Sequence, residues 1–169
     1  MEDLDVLAVL DAAAARGISL QALTDASDAA VGRRGQRMVR LWLPHINGLS
    51  GSPMESRTRA RFLGQGLPAP ELQVEVHTDS GVRFLDLGWR KYRVGVDYEG
   101  EEFHTGDGRM AKDRRRHNEV TDSGWRMLYA TAHDVYSDHR RFLAIVERAL
   151  RSAGWDGPLQ PLGVAPRSA

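Results

Sequence analysis

The sequence predicts an α/β fold in which three strands are followed by a helix, a fourth strand and a last helix. Residues 72–77, 82–89 and 94–99 alternate apolar with polar side chains and are separated by short turns. Residues 107–123 are polar with a helical pattern, and an apolar run at 125–131 follows. Because a helix connects the third strand to the fourth, we expect these two strands to be parallel and the sheet to be mixed and flanked by helices.

Helices are also predicted before the sheet and after it. Apolar residues recur at helical spacing over 3–16, 36–46 and 137–153, whereas 25–35 is small and polar and predicts a loop. A further helix is expected over 52–63, where a serine, a proline and a glutamate stand at the cap, first and third positions.

These elements divide the chain into three parts. Residues 1–50 form an N-terminal helical appendage, through which we expect a homodimer or a partner protein to bind. Residues 51–154 form the α/β domain. Residues 155–169 are rich in proline and glycine and predict a disordered tail.

Composition excludes several classes of protein. The chain has no cysteine, so it has neither disulfides nor thiolate zinc sites. Its start is acidic where a signal peptide is basic, and no apolar run approaches the length of a membrane span. We therefore expect a cytoplasmic protein that does not enter a membrane.

Acidic side chains gather on one face of the predicted hairpin 82–100. Alternation places Leu85 and Leu87 on one face and Asp86 on the other, and Asp97 and Glu99 project the same way about 7 Å apart. Crowded carboxylates are costly to ionise without a cation, and Mg²⁺ prefers oxygen ligands. The hairpin is therefore a candidate metal site, and the alternative is a chance placement with Asp97 and Glu99 on a solvated face.

Basic residues balance the acidic ones overall, 23 against 23, but they are clustered. Clusters beside carboxylates fit a phosphate polymer gripped by arginine, and the alternative is a set of solvated helix faces. The three clusters are Arg33, Arg34, Arg37 and Arg40; Arg57, Arg59 and Arg61; and Arg109, Lys112, Arg114, Arg115 and Arg116.

At this level the chain resembles a known family. The order αβββαβ, with an acid on the second strand and an acid-x-acid on the third, resembles the PD-(D/E)XK nuclease superfamily, which has a restriction-endonuclease-like core. Five stretches within about 52–135 resemble more narrowly the branch of the very-short-patch repair (Vsr-like) endonuclease. They are SPMESR (52–57), FLDL (84–87), VDYEG (96–100), DRRR (113–116) and GWRML (124–128). The N-terminal helices resemble an extra region that many actinobacterial members carry before a nuclease-like domain.

The resemblance implies a set of metal ligands. Asp86 matches the metal-binding aspartate of the second strand, and Asp97 matches the acid that opens the third-strand motif. Glu55 matches a helix glutamate that completes the site, although its spacing from Ser52 equally predicts a helix cap. Glu99 stands where the superfamily usually has lysine, which leaves the group that activates water unassigned.

The activity implied is hydrolysis of phosphodiester bonds with Mg²⁺ or Mn²⁺, most simply by a DNA endonuclease of repair or restriction and defence. His104 follows the acid pair and could act as general base or bind phosphate, with polar surface as the alternative. Lys112 and Arg116, four apart on one helix, could replace the missing lysine. Together with Arg57 and Arg115 they are the expected DNA contacts.

Other functions remain open on the sequence. The same fold could serve as a catalytically inactive nucleic-acid-binding or regulatory module. The segment GDGRMA at 106–111 matches a dinucleotide fingerprint in letters only, because its glycines do not directly follow a strand. The histidines lack the i, i+4 spacing of a helical zinc site.

Overall fold

The computed structural model describes the backbone of residues 3–100 and 107–163 and the side chains of 4–100 and 114–163. These residues form two compact units, 3–67 with 159–163 and 68–158. In the described part of the chain, no helix has both the length and the apolar character required to cross a bilayer.

The first unit consists of helices. Ser19 caps the second of them, since its Oγ accepts a hydrogen bond from Ala22 N at 3.2 Å. The predicted loop over 25–35 is therefore wrong in its first part, because a capped helix continues through Ala29. The elements are α1 (Asp3–Ala15), α2 (Leu20–Ala29), α3 (Gln36–Trp42), a 3₁₀ turn (Leu43–His45) and α4 (Pro53–Gln65).

An ion pair between Asp11 of α1 and Arg59 of α4 lies buried in this unit, with side chains 2% and 5% exposed. Arg59 Nη2 lies 2.7 Å from both carboxylate oxygens, and Nη1 donates to His45 O at 2.7 Å. Asp11 also accepts from Ser56 Oγ at 2.6 Å and from Asn47 N at 2.9 Å. Arg59 is thus not part of an exposed basic cluster, since it connects α1, the 3₁₀ turn and α4.

The second unit contains the mixed sheet that the sequence predicts. The strand order is β1-β2-β3-β4, with antiparallel pairs up to β3 and a parallel pair of β3 with β4. The elements are β1 (Glu71–Thr78), β2 (Gly81–Trp89), a 3₁₀ turn (Arg90–Tyr92), β3 (Val94–Tyr98), α5 (Asp107–Asp122), β4 (Arg126–Ala130), α6 (Ala132–Tyr136) and α7 (His139–Ser152).

The last helix predicted over 137–153 is present as α7, and a short helix that was not predicted, α6, precedes it. The Thr131 hydroxyl accepts from Asp134 N, and the Asp134 carboxylate accepts from Thr131 N at 3.0 Å. This reciprocal cap starts α6 directly after β4, before the predicted start. Beyond α7, Trp155 is buried and Gln160 N donates to Gly66 O, whereas 164–169 lie outside the described residues.

The pairing of β1 with β2 is interrupted at Gln73, which stands opposite Asp86. Leu72 pairs with Leu87 on one side, and the same register resumes at Val74, so no residue is inserted. Gln73 has φ 48°, in the left-handed region that side chains other than glycine rarely adopt. The backbone therefore turns locally at this point of the sheet.

This turn changes which side chains share a face of β2. A Cβ on Gly95 would stand 2.7 Å from Leu85 Cδ1 and 2.6 Å from Met127 Sδ, so Leu85 lies on the Gly95 face. Val96 points to the other face, and Leu87 is its partner across the pair. Leu85 and Leu87 therefore lie on opposite faces, and the expected common face is wrong, because alternation breaks at the residue between them.

Candidate functional site

The structure brings Asp86 and Asp97 together where β2 and β3 separate. The paired residues run from Trp89 with Val94 to Leu87 with Val96. Beyond them, Asp86 N donates to Asp97 Oδ1 at 3.0 Å, and Tyr98 N donates to Asp86 Oδ2 at 2.8 Å. Each carboxylate thus accepts a hydrogen bond from the backbone of the other strand. We call this the carboxylate fork.

Arg116 of α5 reaches the carboxylate fork. Its Nη2 donates to Phe84 O at 2.6 Å and lies 3.5 Å from Asp97 Oδ2. Burial raises the pKa of Asp86, although the hydrogen bond from Tyr98 N and the charge of Arg116 act in the opposite direction. The half-buried carboxyl therefore gains from a nearby cation, since a positive charge favours its ionised form.

The remaining predicted site residues of the segment 99–112 are Glu99, His104 and Lys112. Glu99 is exposed, and its backbone N–H donates to Ala130 O at 2.8 Å. Among the described side chains, no group of three Asp, Glu or His residues is arranged to hold a metal ion. His104 lies outside the described residues, and so does the side chain of Lys112.

Glu55 has the helix-capping geometry that its spacing from Ser52 also predicts, as an alternative to metal binding. Glu55 N donates to Ser52 Oγ at 3.2 Å, and Glu55 Oε2 accepts from Gly51 N at 2.8 Å. The carboxylate belongs to the first unit and stabilises the start of α4. A metal-binding role for Glu55 stays a prediction.

The predicted DNA-contacting arginines have protein partners. Arg57 Nε donates to Asp5 Oδ1 at 2.9 Å, which joins α4 to α1 in the first unit. Arg115 Nε lies 3.1 Å from Glu119 Oε1, yet its side chain is 77% exposed. Arg115 therefore retains most of its surface for a ligand, whereas Arg57 is more fully committed to the fold.

A histidine–tyrosine pair near the carboxylate fork was not predicted from the sequence. His117 Nδ1 of α5 lies 2.6 Å from the Tyr129 hydroxyl of β4, and the register places Tyr129 beside Asp97 in the parallel pair. Parallel strands lie about 4.8 Å apart, so Tyr129 and Asp97 are neighbours on one face. The usable signal was the predicted parallel pairing, which puts a residue of the fourth strand next to the third-strand acid.

Comparison with known proteins gives relatives without an assigned activity. The chain is 34% identical over 127 residues to the uncharacterized proteins Rv2248 and MT2308 from two strains of Mycobacterium tuberculosis. The match covers 75% of this chain and 47% of each relative, so the chain spans about half the length of the curated relatives it matches. No family model matches the chain. No solved structure matches it either. The chain is thus similar to mycobacterial proteins whose names state no function.

Proposed function

We propose that this protein is a divalent-metal-dependent nuclease that hydrolyses phosphodiester bonds in DNA, built on a restriction-endonuclease-like core. The observation that carries the proposal is the carboxylate fork. Two acids from adjacent strands meet there, one of them with a pKa raised by burial, and an arginine lies beside them. Raised pKa values and a specific charge partner are typical of functional sites.

The donor set fits Mg²⁺ or Mn²⁺. Magnesium is usually bound by one or two carboxylates, with water and substrate phosphate completing its octahedron. The Oδ2 atom of Asp86 accepts the hydrogen bond from Tyr98 N. We therefore expect the Oδ1 atom of Asp86 to bind the ion. Asp97 would provide the second carboxylate, and Glu99 and His104 are further candidates.

The metal and the protein side chains would have different roles in hydrolysis. When bound, the metal would lower the pKa of a coordinated water and stabilise charge on the phosphoryl oxygens. Asp86 and Asp97 would hold the ion, and the hydrogen bonds from backbone N–H groups would fix their orientation. Arg116 would bind a non-bridging phosphate oxygen, because its guanidinium already lies at the fork.

A nicking assay tests the proposal. Supercoiled plasmid and labelled oligonucleotides are incubated with Mg²⁺ or Mn²⁺ and wild type, Asp86→Asn or Asp122→Asn. Asp122 is an exposed acid at the end of α5 and provides the matched control. We expect nicking by wild type and by the control and none by Asp86→Asn. Equal nicking by all three proteins, or binding without nicking by all three, would overturn the assignment.

Metal binding is measured separately by thermal unfolding. An ion that binds only the folded state at 100 times its Kd stabilises it by about 2.7 kcal/mol, so Mn²⁺ should raise the Tm of wild type. We expect no such rise for Asp86→Asn, and a full rise for Asp122→Asn. A Tm that is independent of Mn²⁺ in wild type contradicts the metal site.

The second candidate is a nucleic-acid-binding module without cleavage. The position of Arg116 favours it, since a guanidinium 3.5 Å from Asp97 Oδ2 already compensates part of the acidic charge. For such a module the nicking assay gives binding by wild type and by Asp86→Asn and cleavage by neither.

A further inference from the structure

A groove opens beside the carboxylate fork, between β2 and α5. It has a volume of about 620 Å³ and is open to solvent. Its lining includes Arg83 of β2 and Arg115, Arg116 and Glu119 of α5. Pockets that hold small ligands have volumes of about 300–1,000 Å³, so the groove has room for a phosphate group and the sugars attached to it.

Arg83 points from the sheet into the groove. It stands opposite Val76 in the pairing of β1 with β2, and opposed residues share a face of the sheet. Val76 packs in one cluster with Val120 of α5, so this is the face that α5 covers. The side chain of Phe84 alternates to the other face, and at this position β2 contributes its main chain to the groove.

One carboxylate holds two of the arginines. Arg83 Nη2 and Nε donate to Glu119 Oε2 at 2.6 and 3.1 Å, and Arg115 Nε donates to Glu119 Oε1 at 3.1 Å. The side chain of Glu119 is 12% exposed, whereas that of Arg115 is 77% exposed. The acid is therefore largely covered, and the Arg115 guanidinium is open to a ligand.

The carboxylate of Glu119 remains ionised at neutral pH. A hydrogen bond from Ser80 and the contacts with Arg83 and Arg115 lower the pKa of Glu119, and desolvation acts in the opposite direction. Its charge orders the guanidinium groups without cancelling them, since the described lining contains three arginines and one carboxylate. A groove with a net positive charge attracts an anion.

Arg116 joins the groove to the carboxylate fork. It lines the groove, and its Nη2 donates to Phe84 O at 2.6 Å and lies 3.5 Å from Asp97 Oδ2. A nucleic-acid backbone bound at the fork would therefore continue into the groove.

We propose that Arg83 and Arg115 bind a backbone phosphate next to the one that is cleaved, and that Glu119 positions both arginines. The inference rests on the proposed function and extends the nucleic-acid site from the fork along the groove. Guanidinium groups present pairs of N–H donors that match phosphate oxygens. Since contacts to phosphate carry no sequence information, the groove should bind DNA of any sequence.

Fluorescence anisotropy in EDTA tests the two arginines without cleavage. A labelled DNA duplex is titrated with wild type, Arg83→Gln, Arg115→Gln or Arg141→Gln. We expect the first two variants to bind about tenfold more weakly, which is the effect of losing one charge-assisted hydrogen bond. Arg141 is the matched control, since it also pairs with an acid, Asp138, and is 66% exposed on α7.

Salt dependence tests whether the lost contact is one to phosphate. Arg115→Gln should reduce the magnitude of the slope of log K against log salt by about 0.9, the value for one phosphate of B-form DNA. The loss of affinity should be the same for two duplexes of unrelated sequence. A wild-type slope for Arg115→Gln, or a loss confined to one sequence, would contradict the assigned contact.

Glu119→Ala distinguishes positioning from charge alone. The change removes a negative charge from the groove, which by itself would tighten the binding of an anion. If Glu119 positions Arg83 and Arg115, its loss releases both guanidinium groups, and we expect weaker binding instead. Affinity equal to or higher than that of wild type would overturn the positioning role.

Failure of the groove and failure of the nuclease give different results. The groove is overturned, whatever the nicking assay shows, by wild-type affinity in both arginine variants or by no measurable duplex binding. Displacement of the DNA by polyglutamate as readily as by unlabelled DNA also overturns it, because the partner would then be any acidic chain. Weaker binding by the two variants without any nicking by wild type supports the groove and overturns the nuclease.

Circular dichroism melting of each variant establishes that it is folded. Arg115 is mostly exposed, so Arg115→Gln keeps the test decisive even where Arg83→Gln fails to fold.

Discussion

The buried pair of Asp11 and Arg59 gives a prediction whose size follows from its surroundings. Asp11 is 2% exposed in the wild type, and in Arg59→Met it would lose the hydrogen bonds from Arg59 and keep those from Ser56 Oγ and Asn47 N. Breaking a buried pair by removing one partner costs about 3–5 kcal/mol, because the other charge remains buried. Since two hydrogen bonds to Asp11 survive, we expect a loss of about 3 kcal/mol in the free energy of unfolding.

Urea unfolding followed by far-ultraviolet circular dichroism measures this loss, with Arg40→Met as the control. Arg40 pairs with Asp28 at 2.8 Å, but both side chains are more than half exposed, and such pairs contribute about 0–1 kcal/mol. The double variant of Asp11→Leu with Arg59→Met should recover much of the loss, since no unpaired charge remains. A cost for Arg59→Met no larger than that for Arg40→Met would refute the reasoning.

Three further predictions concern the second unit. Burial raises the pKa of Asp86 above its value of 3.8 in an unfolded chain, so the ionised form of Asp86 lowers the stability of the folded state at neutral pH in EDTA. The free energy of unfolding of wild type should therefore rise relative to that of Asp86→Asn as the pH falls through the raised pKa. A difference between the two proteins that is independent of pH contradicts this. Gln73→Gly should leave the free energy of unfolding in urea unchanged or raise it by up to ~1 kcal/mol, because φ 48° suits glycine. Gln73→Val should lower it by ~1 kcal/mol or more, because a β-branched residue is strained at this φ. A Gln73→Val variant as stable as wild type would argue against the strained backbone. Tyr129→Phe removes the hydroxyl that contacts His117 Nδ1 and should cost ~1 kcal/mol in thermal unfolding, a loss that should not occur when His117 is already alanine.

The mixed sheet could be predicted from sequence because its signals are local. Alternating side chains in 72–99 indicate strands, and the helix before residue 125 requires a crossover. The expectation that Asp86 lies on the same face as Asp97 came from the same pattern. The structure brings the two acids together by a different route, because the pairing of β2 with β3 ends at Leu87 and Val96 and the carboxylates accept hydrogen bonds from backbone N–H groups beyond it.

The remainder depends on contacts between distant residues. Gln73 gives no sign of a left-handed conformation in its residue type, so the reversal of faces at Asp86 could not be foreseen. Arg59 lies in an arginine-rich stretch and resembles a surface residue until Asp11, 48 positions earlier, is placed next to it. Residue type predicts the exposed state correctly for most arginines and fails where a buried acid supplies the partner.

The carboxylate fork also changes how the acids are to be read in related sequences. Asp86 and Asp97 take the place of main-chain partners for Tyr98 N and Asp86 N, so they close the end of the sheet as well as providing oxygen donors. Related chains are expected to keep a side-chain acceptor at both positions whether or not they cleave nucleic acid, because losing either acceptor leaves an amide without a partner. Persistence of this pair is therefore no measure of enzymatic competence. Exchange to asparagine would conserve the hydrogen-bond acceptor and remove the negative charge.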